Sequence, residues 1–199
     1  HSIAAAPGGG YVVVGNTGLD RTDILIVFID SVGTVVRQNT YNGGAVDLAS
    51  QVYPAIGGGH LVIGSTNSSG AGEMDIFTGK MDALGRFSWT KTCGFVSSDF
   101  GYRLVATRDF GYILTGSTRT VGANLSNIYL GKIGEFGNSQ WYTIHGGPGD
   151  DIGYSVLAAP DGGYLIAGST TSYGAGGRDI YLIKTDDMGR VDQPRWTWF

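Results

Sequence analysis

Asp47, Asp99 and Asp151 stand 52 residues apart, and Asp150 precedes the last of them to make an adjacent acidic pair. Carboxylates repeated at equal intervals can ring an axis and offer the oxygen donors that Ca2+ prefers. The competing role is structural. An Asp at the head of a strand accepts backbone N–H bonds and fixes the crossing from one repeat to the next. Recurrence in every linker favours the structural role, as does the lack of alternating oxygen ligands around Asp150 and Asp151. No cofactor is therefore expected, with Ca2+ at Asp47, Asp99, Asp150 and Asp151 as the alternative. Tyr173 and Arg178 share one long loop, where a ring and a guanidinium could stack on and bind a sugar. They are the candidate ligand-binding pair.

Other reactive groups are few. His1, His60 and His145 have no ligand spacing, and His60 fills a slot that is otherwise Tyr. Cys93 is the only cysteine, so no internal disulfide can form, and it occupies the slot of Tyr41, which suits packing. No Gly-x-Ser-x-Gly elbow occurs, and the acidic residues fall at turns rather than as a glycosidase pair. No catalytic residue is assigned, and the chain is expected not to be an enzyme.

These residues must be placed by a repeat. GGGYVVVGNT begins at Gly8, GGGHLVIGST at Gly57, DFGYILTGST at Asp109 and DGGYLIAGST at Asp161. The aligned positions Tyr11, His60, Tyr112 and Tyr164 are 49, 52 and 52 residues apart. A period near 50 marks a repeat architecture. Each repeat resolves into four apolar segments of four to eight residues, rich in Val, Ile, Leu and Tyr and bounded by Gly, Asp and Pro. No stretch holds a 3.6-residue period, so helix should be nearly absent. Asp30-Ser-Val-Gly33, Asp82-Ala-Leu-Gly85, Glu135-Phe-Gly137 and Asp187-Met-Gly189 read as the hairpin turns between the third and fourth segments.

The second and third segments, such as Tyr11–Val14 and Ile24–Ile29, are apolar at successive positions and so predict burial on both faces. Without helices, only other sheets can cover them, and radially stacked blades satisfy that condition. In such a blade the second-to-third loops and the blade-to-blade loops share one end, including Thr17–Asp23, Thr118–Asn127 and Thr170–Asp179. Binding sites favour long loops on a rigid scaffold, so this is the end to watch.

Composition narrows the partners. Gly supplies 35 of 199 residues, without a collagen period. The net charge is −4 and no basic stripe exists to neutralise phosphates, which argues against nucleic acid. No apolar run approaches the roughly 20 residues of a spanning helix. The first residue is His1 rather than Met, as expected of a chain whose leader was removed or of a piece of a longer polypeptide.

The composite pattern GG-Y-[apolar]3-G-[ST]-T, then D-I-[YF]-x-x-K-x-D-x-x-G, then W-[YT]-x-x-x-G-G-x-G-D-D resembles the β-propeller repeats of about 50 residues found in large extracellular proteins of bacteria and archaea. The likeness covers essentially the whole chain. Two departures lie in the first repeat, where Phe28 replaces the Lys of Lys80, Lys132 and Lys184, and Arg37 replaces the Trp. In the last, Trp196 lies three positions beyond its expected place.

The resemblance implies an all-β propeller of four four-stranded antiparallel blades, at about 1–46, 47–98, 99–150 and 151–199. The alternative is half of a larger ring, such as one of eight blades. It further implies an extracellular or cell-surface protein that is a structural or interaction module, a self-assembling subunit of a filament or layer being one version. Its partners would be copies of itself or surface proteins. A lectin-like propeller that binds polysaccharide through the long-loop end is the alternative function.

Overall fold

The computed structural model describes residues 1–18, 22–119, 125–191 and 196–198, the last three by backbone alone. Parts of two long loops singled out above, 19–21 and 120–124, lie outside the described residues. The chain forms four four-stranded antiparallel sheets, and no helix occurs among the described residues. The first sheet is β1 (Ser2–Ala5), β2 (Tyr11–Thr17), β3 (Asp23–Ile29) and β4 (Val35–Tyr41). The second is β5 (Asp47–Pro54), β6 (His60–Thr66), β7 (Asp75–Met81) and β8 (Phe87–Cys93). The third is β9 (Asp99–Ala106), β10 (Tyr112–Arg119), β11 (Ser126–Ile133) and β12 (Ser139–His145). The fourth is β13 (Asp151–Ala158), β14 (Tyr164–Thr170), β15 (Asp179–Thr185) and β16 (Trp196–Trp198). Strands pair in chain order within every sheet, and none is exchanged between the first sheet and the last.

The motif residues explain this local geometry. Gly64, Gly116 and Gly168 sit where a Cβ would fall within 2.0 Å of the Leu48, Phe100 and Ile152 carbonyls. That close approach lets the first strand of the sheet bulge, and its register slips at Ser50, Tyr102 and Tyr154. The hairpin aspartates accept backbone bonds: Asp30 Oδ1 from Val32 N–H at 3.0 Å, Asp82 Oδ1 from Leu84 N–H at 2.8 Å and Asp186 Oδ1 from Met188 N–H at 2.9 Å. Two turns are thus framed one residue earlier than the sequence implied. Asp186, not Asp187, opens the last, and Gly134, not Glu135, opens the third, where its carbonyl accepts the Gly137 N–H at 3.0 Å.

Three apolar clusters hold the sheets together in chain order. Val12, Val14, Ile24 and Ile26 of the first sheet meet Val52, Val62, Phe77 and Met81 of the second. Leu61, Ile63 and Ile76 on the other side of the second meet Leu104, Tyr112, Leu114 and Tyr129 of the third. Ile113, Ile128 and Leu130 then meet Val156, Tyr164, Ile166 and Tyr181 of the fourth. At each junction the first strand of the later sheet lies across the earlier one, β5 over β1–β3, β9 over β5–β7 and β13 over β9–β11.

The second and third strands of the middle two sheets are buried on both faces, as their sequence predicts; β6 is buried at every position. The outer two are not. Tyr11 is 44% exposed while Val12 is fully buried, and Ile180 is 60% exposed beside a buried Tyr181. The expectation that Tyr11–Val14 and Ile24–Ile29 bury both faces fails for a simple reason. Among the described residues, one face of the first sheet and one of the fourth have no sheet against them, and these two sheets share no extended contact.

The two departures of the first repeat turn out to be one. Phe28 and Arg37 are direct cross-strand partners, as are Lys80 and Trp89, and Lys132 and Trp141. Ring and cation have exchanged strands, and the Arg37 guanidinium lies 5.7 Å from the Phe28 ring centroid. Each ring carries the hairpin glycine of the next sheet, Gly85 against Phe28, Gly137 against Trp89 and Gly189 against Trp141. A cross-strand cation–ring pair contributes roughly 0.5–1 kcal/mol. Phe28→Lys and Arg37→Trp should each lower stability, and the double variant should recover at least about 0.5 kcal/mol of their sum in a urea double-mutant cycle.

Candidate functional site

The loop end is organised by the repeated aspartates. Asp47, Asp99 and Asp151 are fully buried at the heads of β5, β9 and β13. Asp47 Oδ2 accepts the Gly43 N–H at 2.6 Å and the Ser68 hydroxyl at 3.1 Å, and its Oδ1 accepts the Thr66 hydroxyl at 2.5 Å. Asp151 Oδ2 accepts the Gly147 N–H at 2.7 Å and the Ser172 hydroxyl at 2.6 Å. Asp99 Oδ2 accepts the Phe95 N–H at 2.5 Å. In each case the carboxylate ties the linker four residues upstream to its own strand. Asp150 lies nearer the surface, where its Oδ1 accepts the Ser126 N–H at 2.9 Å.

Asp75 approaches Asp99, since a Cβ on Gly94 would lie 2.8 Å from Asp75 Oδ1 and 2.4 Å from Asp99 Oδ2. Burial, with the Asp75 charge added, holds the Asp99 carboxyl above the usual carboxylate range. Two carboxylates are short of a calcium cage. Among the described residues no three His, Cys, Asp or Glu side chains converge as metal ligands.

Tyr173 and Arg178 have separate local partners. The Tyr173 hydroxyl donates to the Gly146 carbonyl at 2.9 Å, and its ring leans on Tyr181 at 5.5 Å between centroids. The exposed Arg178 donates to the Ser169 hydroxyl oxygen at 2.9 Å. A ring committed to the sheet junction makes a poor stacking platform. His60, fully buried, donates from Nε2 to the Ala5 carbonyl at 2.9 Å, and Thr143 meets His145 Nε2 at 2.9 Å. Cys93 packs beside Tyr129 in the second junction, and burial pushes its thiol up to about 12, far from a reactive thiolate.

Grooves open between the sheets. One, about 600 Å3, is lined by Arg37, Asn39, Tyr41, Arg86 and Phe87, at the junction where Arg replaces the indole. A second, about 470 Å3, holds Asp109, Lys132, Gln140, Trp141 and Tyr164. Lys132 is only 3% exposed there, and its ammonium meets Asp109 at 2.9 Å and Gln140 at 3.2 Å. A third, about 410 Å3, lies along the first strands, with His1, Asn16, Ser50 and Tyr102 on its walls.

Exposed apolar side chains also stand elsewhere, on the uncovered faces of the end sheets. Ile3 (58% exposed) and Tyr11 mark the first; Ile180 and the exposed Leu157 mark the fourth. The sequence carried the signal, because these positions hold the same apolar types as their buried counterparts. Nothing in the residue types themselves distinguishes a covered face from an open one.

No protein family matches the chain, and no curated protein matches it either.

Asp151→Ala removes acceptors for the Gly147 N–H and the Ser172 hydroxyl, which should cost about 1–3 kcal/mol of stability. A chelator should leave the melting temperature of the native protein unchanged; a chelator-induced drop would instead assign a bound cation to these carboxylates.

Although desolvation opposes it, bonds from Thr107 and Lys132 bring the Asp109 carboxyl down to about 2. Its contribution is present above the ordinary carboxylate pKa of about 4 and is lost as pH falls toward 2. Asp109→Asn should flatten that limb of an acid-stability profile by about 1 kcal/mol, a figure discounted for screening of its exposed side chain.

Proposed function

We propose that this chain is an arc of β-propeller blades, secreted or borne on a cell surface, that serves as a non-enzymatic structural and interaction module. The propeller reading is supported by four sheets in chain order, each laid by its first strand across the one before. Stacking around an axis is the arrangement that covers both faces of antiparallel sheets without helices. An open arc, rather than a closed ring of four, fits the bare faces of the first and fourth sheets.

A structural role is supported by how the chain spends its polar chemistry. The buried aspartates brace linkers, the hairpin aspartates close turns, and Lys132 is matched by Asp109. The observation that carries an interaction role is the pair of open apolar faces at Ile3 and Tyr11 and at Leu157 and Ile180. Apolar faces left open on an otherwise well-packed protein mark contact surfaces.

Affinity electrophoresis through gels cast with soluble xylan, pullulan or laminarin separates this role from sugar binding. Mobility should match that in a plain gel, for both the native chain and Arg178→Ala. Retardation by a polysaccharide that Arg178→Ala abolishes would replace the interaction module with a glycan-binding one.

A further inference from the structure

Resting on the interaction-module reading, we infer that a second copy of this chain docks head to tail, the fourth sheet of each copy against the first sheet of the other. Two such contacts close a single ring of eight sheets.

The three internal junctions supply the template. Each joins one face of a sheet to the opposite face of the next, and the residues on both sides recur by position. On the leading face, Ile24, Ile76 and Ile128 are fully buried by the sheet that follows. Ile180 holds the same place in the fourth sheet, opposite Ser169 in the register in which Ile128 opposes Ser117, and it is exposed. Val12, Leu61 and Ile113 are likewise buried, whereas their counterpart Leu165 is only partly covered.

The trailing face repeats the pattern. Val52, Leu104 and Val156 are buried against the sheet before them, while Ile3, paired with Val13 as Val156 is with Ile166, is exposed. His60, Tyr112 and Tyr164 are buried, and Tyr11 in the same place is exposed. The hairpin glycine agrees. A Cβ on Gly85, Gly137 or Gly189 would meet a ring of the preceding sheet, whereas one on Gly33 would meet nothing within 4 Å. One end of the chain therefore presents the leading half of a junction and the other end the trailing half.

A leading face fits a trailing face, not another leading face, so the contact is heterologous. Heterologous contacts close into a ring when the rotation permits and otherwise extend as a filament. Propeller rings commonly hold four to eight blades, so an arc of four sheets closes with one further copy.

Light scattering coupled to size exclusion tests this with the native chain, Ile180→Asp and Ile3→Asp. Both positions are solvent-exposed in a single copy, so each variant should keep the native β-type circular dichroism. The native chain should elute at twice its mass. Each variant alone should be monomeric, its apparent dissociation constant raised by at least about 30-fold. An equimolar mixture should regain dimer through one contact, where the intact trailing face of Ile180→Asp meets the intact leading face of Ile3→Asp, while the second contact carries both Asp residues and stays open. A native monomer, a species larger than two copies, or a variant that dimerises alone would each overturn the proposal. None of these outcomes creates a difference between mobility in a polysaccharide gel and in a plain gel, so failure of the dimer stays distinct from failure of the interaction role.

Discussion

Everything in this molecule follows from sheets that are apolar on both sides. Such a sheet cannot face water on either side without leaving rows of Val, Ile, Leu and Tyr hydrated, at roughly 25 cal/mol for each Å2 of apolar surface left uncovered. The second and third sheets meet that demand by lying between neighbours, and His60 and Tyr112 are fully buried at their junctions. The polar residues serve the same end. Asp47, Asp99 and Asp151 hold the linkers so that each first strand crosses the preceding sheet, and Gly64, Gly116 and Gly168 give that strand the room to bulge.

The variation among repeats shows how the junction tolerates change. At the second and third junctions a Trp beside a Lys carries the hairpin glycine of the next sheet. At the first, Phe28 and Arg37 supply the same two chemical types from exchanged strands. The ring still meets Gly85, but it now comes from the third strand, and the outer side opens into the groove around Arg37 and Arg86. What is preserved is one ring and one cation per junction, rather than the residue at a given position.

Much of this was legible in the sequence. Short apolar segments between Gly, Asp and Pro gave strands, and a period of about 50 residues gave four equivalent sheets. The bracing role of Asp47, Asp99 and Asp151 followed from their recurrence before every first strand. What could not be read was coverage. Ile180 and Ile128 are the same residue in the same repeat position, and one is exposed while the other is buried. That difference depends on whether a neighbouring sheet is present, a property of assembly and not of the residue. The Phe28 and Arg37 substitutions likewise looked independent until strand register paired them. Tyr173 looked like a free loop aromatic because its contacts, with Gly146 in the linker before its sheet and with Tyr181 across its own hairpin, are set by the folded arrangement of the chain.

The most direct test of face-to-face stacking as the governing constraint is a crystal structure of the native chain, read for what lies over Ile3 and Ile180. A neighbouring sheet should cover each, with Ile180 enclosed as Ile128 is and eight sheets arranged about one axis. A particle in which both side chains face solvent, or four sheets closed on themselves, would contradict the account.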